Sequence, residues 1–298
     1  MDTVKPLPSF SDEILRYILT LSGSYEILTS AVLAQLCNLV QLCKKTHEWI
    51  TPILYNMVVL IKTSQVIAFS HAVKAEKLGS KVRTLIFRLD EPYTALKHVA
   101  AAICGCPNLE ILFDSGFMSH RRLNRHRSRF PTPWQVAIFT NWGLSGLLPP
   151  VGNPLLKSVT HLHINGFEWP EFDELAVPLI LSIPTLTHLA CTPQYDWKQG
   201  SSCIRAILRS TRSLRILLVL KTSTVAGRPT WEELLDIEDE RLLARIGAFD
   251  TFEQDVTMTS GKSIWDDAEI QCKTWRTLAL NKAHRQSTDA VGCAPRSV

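Results

Sequence analysis

The feature that most constrains this chain is a short apolar pattern that returns at a regular interval. Leu-x-x-Leu-x-apolar, with other residues allowed at some places, is met as Val82-Arg-Thr-Leu85-Ile-Phe87, Leu109-Glu-Ile-Leu112-Phe-Asp114, Val159-Thr-His-Leu162-His-Ile164, Leu186-Thr-His-Leu189-Ala-Cys191 and Leu214-Arg-Ile-Leu217-Leu-Val219. The starts lie 27, 50, 27 and 28 residues apart. The long gap of 50 halves to 25, and a weaker copy stands there as Trp134-Gln-Val-Ala137-Ile-Phe139. A unit this short cannot bury its apolar face alone, so the copies must stack and share one continuous core. Helix-like stretches, Tyr93 to Cys104, Glu171 to Ser182 and Ser202 to Ser210, each lead into the next unit. Strands alternating with helices predict an α/β solenoid of parallel strands, with Leu85, Leu112, Leu162, Leu189 and Leu217 in one buried row.

Successive side chains of a strand point to opposite faces, so positions 1, 4 and 6 of each unit turn inward and positions 3, 5 and 7 line the other face. Position 3 reads Thr84, Ile111, Val136, His161, His188 and Ile216, and position 5 reads Ile86, Phe113, Ile138, His163, Ala190 and Leu218. These rows are unusually apolar for a sheet face, and an exposed apolar patch marks a partner site. They predict a substrate platform built from Ile111, Phe113, Ile138, His161, His163, His188 and Leu218, with Phe113 and Ile138 partly accessible. The competing reading is that loops or the C-terminal tail cover the same face.

Ahead of the repeats the chain reads Leu7-Pro8-Ser-Phe-Ser-Asp-Glu-Ile14-Leu15-Arg-Tyr-Ile18-Leu19. A long apolar helix follows, ending Leu39-Val40-Gln-Leu42-Cys43-Lys-Lys-Thr-His-Glu-Trp49-Ile50, then Thr51-Pro52-Ile53-Leu54-Tyr55 and Met57-Val-Val-Leu60. Ser9 with Asp12 three residues on makes a capping-box start, and Ile14, Leu15, Ile18 and Leu19 recur at helical spacing. Pro52 predicts a break before a last helical turn carrying Ile53, Leu54 and Met57.

This order of residues resembles the F-box, whose pattern is Leu-Pro, an acidic residue before Ile-Leu, a helix ending in Cys-Lys/Arg, a Trp, and Pro-x-Leu-Tyr. Four residues, Ser9 to Asp12, stand where the family usually has one, and the middle helix is longer than usual. The tags Cys106-Pro-Asn-Leu109, Ile183-Pro-Thr-Leu186 and Thr211-Arg-Ser-Leu214 resemble the irregular leucine-rich repeats found behind F-boxes in many fungal proteins, over residues 82 to 221, without the asparagine ladder of standard repeats. The resemblance implies a substrate receptor of an SCF-type ubiquitin ligase. Leu7, Pro8, Ile14, Leu15, Leu42 and Cys43 would face a Skp-type adaptor and, through it, a cullin. The repeats would hold an unknown protein target.

Composition bounds the rest. A 298-residue chain with 46% apolar and 20% charged residues is globular rather than disordered. No charged-then-apolar leader follows Met1 and no apolar run is long enough to span a bilayer, which predicts a soluble protein of the cytoplasm or nucleus with no membrane partner. A net charge of +4 is too mild to imply nucleic acid. The eight cysteines are scattered, which suits reduced, buried thiols better than a disulfide framework.

Chemistry-bearing patterns are few. His161, His163 and His188 would cluster on one face and could in principle hold zinc. No carboxylate or thiolate shares their row, and Thr-His-Leu recurs as part of the repeat, so the expectation is no metal. Cys104-Gly-Cys106 reads as a helix end with small residues. No phosphate loop, nucleophile elbow or His-Glu-x-x-His is present, so no catalytic residues and no cofactor are expected. The run His120 to Arg129 carries five arginines and reads as a solvated loop, or else as a nuclear address or a site for an acidic partner. A ligase-independent scaffold, or an enzyme hidden in the solenoid, are the other classes.

Past Lys221 an acidic helix is expected from Trp231 to about Ile246, and a last helix with Ile264, Trp265, Ala268, Cys272, Trp275 and Leu278 as a cap on the final repeat. The expected domains are an F-box at 1–60, a solenoid at 61–230, a helical cap at 231–280 and a disordered tail at 281–298.

Overall fold

In the computed structural model the described residues are 44–76, 78–89, 96–114, 131–139, 153–167, 170, 172–193, 200–221, 237, 239–246 and 265–274. Strands β1 (Met57–Leu60), β2 (Thr84–Phe87), β3 (Ile111–Asp114), β4 (Gln135–Phe139), β5 (His161–Phe167), β6 (His188–Pro193), β7 (Ile216–Lys221) and β8 (Leu242–Ile246) form one sheet in that order. Every neighbouring pair is parallel. A parallel neighbour can be reached only by a crossover, and among the described residues helices provide it for four of the seven pairs. They are α1 (Lys44–Asn56) before the sheet, then α2 (Thr63–Glu76), α3 (Leu96–Cys104), α4 (Val177–Leu181) and α5 (Gly200–Ser210) between strands. The result is a solenoid-like α/β fold.

The apolar residues of the crossover helices, such as Val66 and Phe69 of α2, Val99 and Ile103 of α3, Leu179 and Ile180 of α4, and Ile204 and Ile207 of α5, share one core with positions 1, 4 and 6 of the strands. Within it the expected leucine row is continuous: Val58 beside Leu85, then Leu112, Val136, Leu162, Leu189, Leu217 and Leu242. Asn108 donates through Nδ2 to Ser80 O at 2.7 Å, and Thr185 through Oγ1 to Lys157 O at 3.2 Å. Both sit just before the leucine of their tag and tie one turn to the turn before it, the task an asparagine ladder performs. Close packing of helix ends requires glycine at one place: a Cβ on Gly79 would lie 1.7 Å from Gly105 O. At the β5 irregularity between Asn165 and Phe167, Gly166 takes φ 82°, a left-handed conformation glycine reaches without strain.

Three local expectations are corrected. The weak repeat was aligned one residue late: Gln135 pairs with His161 and Val136 with Leu162, so Pro133, Val136 and Ile138 take positions 1, 4 and 6. Because side chains alternate, that one-residue slip exchanges the faces, putting Val136 and Ile138 in the helix-side core and Ala137 on the opposite face. Met57–Leu60 is a strand rather than a helical turn, because its β-branched pair Val58-Val59 has β2 as a partner, and Pro52 lies inside a continuous α1 rather than ending it. Leu242–Ile246 is likewise a strand paired to β7 rather than the end of an acidic helix. The adaptor candidates Leu7, Pro8, Ile14, Leu15, Leu42 and Cys43, the arginine-rich run 120–129, residues 231–236, Trp275 and the tail lie outside the described residues.

Candidate functional site

The sheet face turned away from the crossover helices carries positions 3 and 5, and a helix over residues 265–274 (α6) lies on it. Its buried residues Trp265, Ala268 and Cys272 follow the spacing of one helical face, with Asp266, Ile270, Gln271 and Lys273 exposed. They form a second core with Ile86, Phe113, Ala137, Ala190, Ile216, Leu218 and Leu220. The covering reading of this face therefore holds. Phe113 is 1% exposed and Ile138, on the helix side, 0%, so the expected accessibility of both is not met. Ile111 is half-buried against this second core and Leu218 is buried within it. Helix α6 lies on the sheet face, with Trp265 against β5 and β6 and Glu269 and Cys272 beside β7, and Leu243 of β8 joins the same core.

At the centre are the three sequence-selected histidines. His161 and His188 are register partners on β5 and β6 and stack with ring centroids 4.0 Å apart and planes 5° from parallel. Trp265 meets both rings edge-on, at 5.2 and 5.7 Å, and Trp134 meets His161 edge-on at 5.0 Å. His163 is buried, with Nε2 2.8 Å from Thr192 Oγ1 on the next strand.

Threonine hydroxyls join the two stacked rings to the strand entries. Thr160 Oγ1 lies 3.2 Å from Trp134 O and 2.8 Å from His161 Nδ1, and Thr187 Oγ1 lies 3.1 Å from Thr160 O and 2.8 Å from His188 Nδ1. Each threonine hydroxyl thus has a carbonyl and an imidazole Nδ1 within reach, and which of the two takes its proton decides whether Nδ1 or Nε2 of the ring carries the hydrogen. His188 Nε2 faces Glu269 Oε1 of α6 at 3.4 Å, within ion-pair reach. Trp265 Nε1 is buried without a hydrogen-bond partner. A group left so costs about 1–3 kcal/mol.

Burial lowers all three histidines. His161 is pushed down to about 4, by desolvation first and then by His188, against Glu269 and Asp266. His163 is pushed down to about 3 by desolvation alone. His188 is lowered by desolvation, which outweighs the opposing pull of Glu269. Burial raises Glu269, but the hydrogen bond and charge of Lys273, with His188 and Arg215, leave it net below the usual carboxylate range. Uncharged imidazoles stacked under a carboxylate are ligand-like in type, yet among the described residues no three His, Cys, Asp or Glu side chains gather as metal ligands.

Of the sequence-selected residues, the structure brings His161, His163, His188, Phe113 and Leu218 onto one face and sends Ile138 to the other. Sequence reasoning missed Glu269, whose only signal was its place one turn after Trp265, and Trp134, which had been taken for an inward position but is exposed. Arg215, exposed at the head of β7, shares a shallow cleft with Ile216, Glu269, Cys272 and Lys273. Buried thiols behave as expected of inert cysteines: Cys106 is pushed up to about 12 and Cys203 to about 11, mainly by burial. No described helix is long and apolar enough to cross a membrane. Comparison of the sequence with protein-family models and with curated proteins finds no match.

Proposed function

We propose that the chain is a substrate receptor of an SCF-type ubiquitin ligase, with an F-box ahead of β1 docking a Skp-type adaptor and the repeats selecting a protein target. The observation that carries the reading is the sequence order: Leu7-Pro8, Glu13-Ile14-Leu15, Leu42-Cys43-Lys44, Trp49 and Pro52-Ile-Leu-Tyr55 stand directly before a sheet of parallel strands in sequential order. A receptor of this kind catalyses nothing and needs no cofactor. It works by tethering, which raises the effective concentration of a target lysine beside a charged ubiquitin-conjugating enzyme.

The adaptor contact tests this. Leu15→Asp puts an unpaired charge on the apolar face of the first predicted helix, where burial against a partner costs several kcal/mol. Co-purification with the adaptor should be lost while the sheet still unfolds cooperatively. Wild-type levels of adaptor on the variant would refute the F-box assignment, and adaptor binding without recruitment of a cullin would favour a ligase-independent scaffold.

A further inference from the structure

Several basic side chains of the described structure are neutralised in place: Arg83 stands 2.8 Å from Glu110, Arg241 2.7 Å from Asp239 and Lys273 3.3 Å from Glu269. A surface shared by α2 and α3 is built differently. His71 and Lys74 on α2 and Lys97 on α3 are exposed, His98 on α3 is half-buried, and the rings of His71 and His98 lie with centroids 5.7 Å apart. The buried Ser70 hydroxyl holds the His98 ring, with Oγ 3.0 Å from its Nδ1 and 2.8 Å from Ile67 O. After desolvation, Lys97, His71 and Lys74 all push the His98 pKa down, and no carboxylate among the described residues pulls it up. Four basic groups thus share one surface with no counter-charge among the described residues, and they repel one another whenever the imidazoles are protonated.

We propose that this surface of α2 and α3 docks an acidic segment of a protein partner, whose carboxylates lie across His71, Lys74, Lys97 and His98. The charges are spread over two neighbouring helices and are mostly exposed, so they match several carboxylates strung along a chain rather than one enclosed anion. Two imidazoles this close could also share a metal ion, but the two ammonium groups beside them repel a cation and attract a carboxylate. Contacts of this kind speed encounter and weaken with salt. Because two of the four groups are histidines, the bound acidic segment favours their protonated forms, and docking tightens as the pH falls through the ordinary histidine range. The surface belongs to the helix side of the sheet, and docking there requires neither an F-box nor any movement of α6.

The test uses the full chain and fluorescein-labelled hexaglutamate, read by fluorescence anisotropy at low salt. The wild-type chain should bind it about threefold more tightly near pH 6 than near pH 8. Lys74→Glu combined with Lys97→Glu reverses two exposed charges, so this chain should unfold in urea as wild type does and should bind about tenfold more weakly. His71→Gln combined with His98→Gln should keep the affinity seen at the higher pH and lose the gain at the lower one. Binding unchanged by the two lysine reversals would put the peptide on another basic segment, such as 120–129, and would overturn the proposal. So would a pH gain retained without the two histidines, or no binding to the wild-type chain. Zinc binding that is lost with the two histidines, in a chain that ignores hexaglutamate, would assign the pair to a metal instead. Should the double reversal fail to fold, Lys74→Gln with Lys97→Gln decides: it should weaken binding about threefold, and unchanged binding overturns the idea.

Discussion

The two faces of the sheet are built from alternate residues of the same strands and yet are covered by different means. On one face, crossover helices α2 to α5 are bound to their strands by short connections, and the residues that meet there are mostly aliphatic and phenylalanine side chains, with few buried polar groups such as Ser70, whose Oγ lies 3.0 Å from His98 Nδ1. On the other, a single helix remote in sequence lies over a surface that mixes Phe113 and Leu218 with Gln135, His163, His188 and Thr192, all buried. Apolar contact is non-directional and tolerates any close-packed neighbour, whereas each buried polar group demands a particular partner. The first face is therefore committed to its cover, and the second is selective about what covers it.

Substitutions should separate the two faces. The largest effect is expected at Leu189, fully buried on the helix side: Leu189→Ala should cost about 4 kcal/mol in urea unfolding, within the range for leucine cavities. Leu218→Ala, equally buried under α6, should cost about half of that, because a cover anchored only at its own ends can settle into the space. Equal losses would mean that both faces are parts of one rigid core. Gly79→Ala should fall between the two leucine changes, at about 3 kcal/mol in the same measurement, since its Cβ would lie 1.7 Å from a main-chain oxygen that cannot swing away.

Acid should act on the α6 face, where three of the four lowered histidines among the described residues lie; the fourth, His98, is on α3. His161, His163 and His188 are all held below the ordinary histidine value of 6.5, with His161 near 4. Groups whose pKa is depressed in the closed form stabilise it fully above about pH 6.5, and that stability falls as the pH drops towards 4. Glu269 and Asp266 on α6 oppose this around the stacked pair and Arg215 adds to it, so the net direction is set by desolvation. Tryptophan emission should report loosening of α6 between pH 6.5 and 4 before far-ultraviolet dichroism changes, and His161→Phe should blunt it. Simultaneous loss of both signals would show that α6 does not open separately. The smallest effect belongs to the exposed Arg83–Glu110 pair, 2.8 Å apart: Arg83→Ala should change stability by no more than about 0.5 kcal/mol.

Much of this was legible beforehand because repetition is a local signal. The strands at 84, 111, 161, 188 and 216, the helices at 96, 177 and 200, and the pairing of His161 with His188 all follow from the period and the alternation of side chains. Reading failed where that signal was weak. Trp134 drew the alignment of the fourth strand one residue late, because a large aromatic reads as a core residue although here it stands outside at the strand entry. β1 and β8 escaped for the opposite reason: Met57–Leu60 and Leu242–Ile246 carry short apolar runs that suit helix or strand equally, and only an available sheet edge makes them strands.

By itself the sequence determined the period, and with it a stack of parallel strands whose leucines at position 4 must be buried, since no unit could hide them alone. It also determined which residues share the opposite face in five of the six units. Whether that face is platform or core was settled only by tertiary structure, because covering it depends on where a helix more than forty residues beyond β7 comes to rest, and no local pattern encodes that distance. The same contact brings Trp265 and Glu269 onto the stacked histidines, which turns a plain row of the repeat into a buried cluster of rings beside a carboxylate.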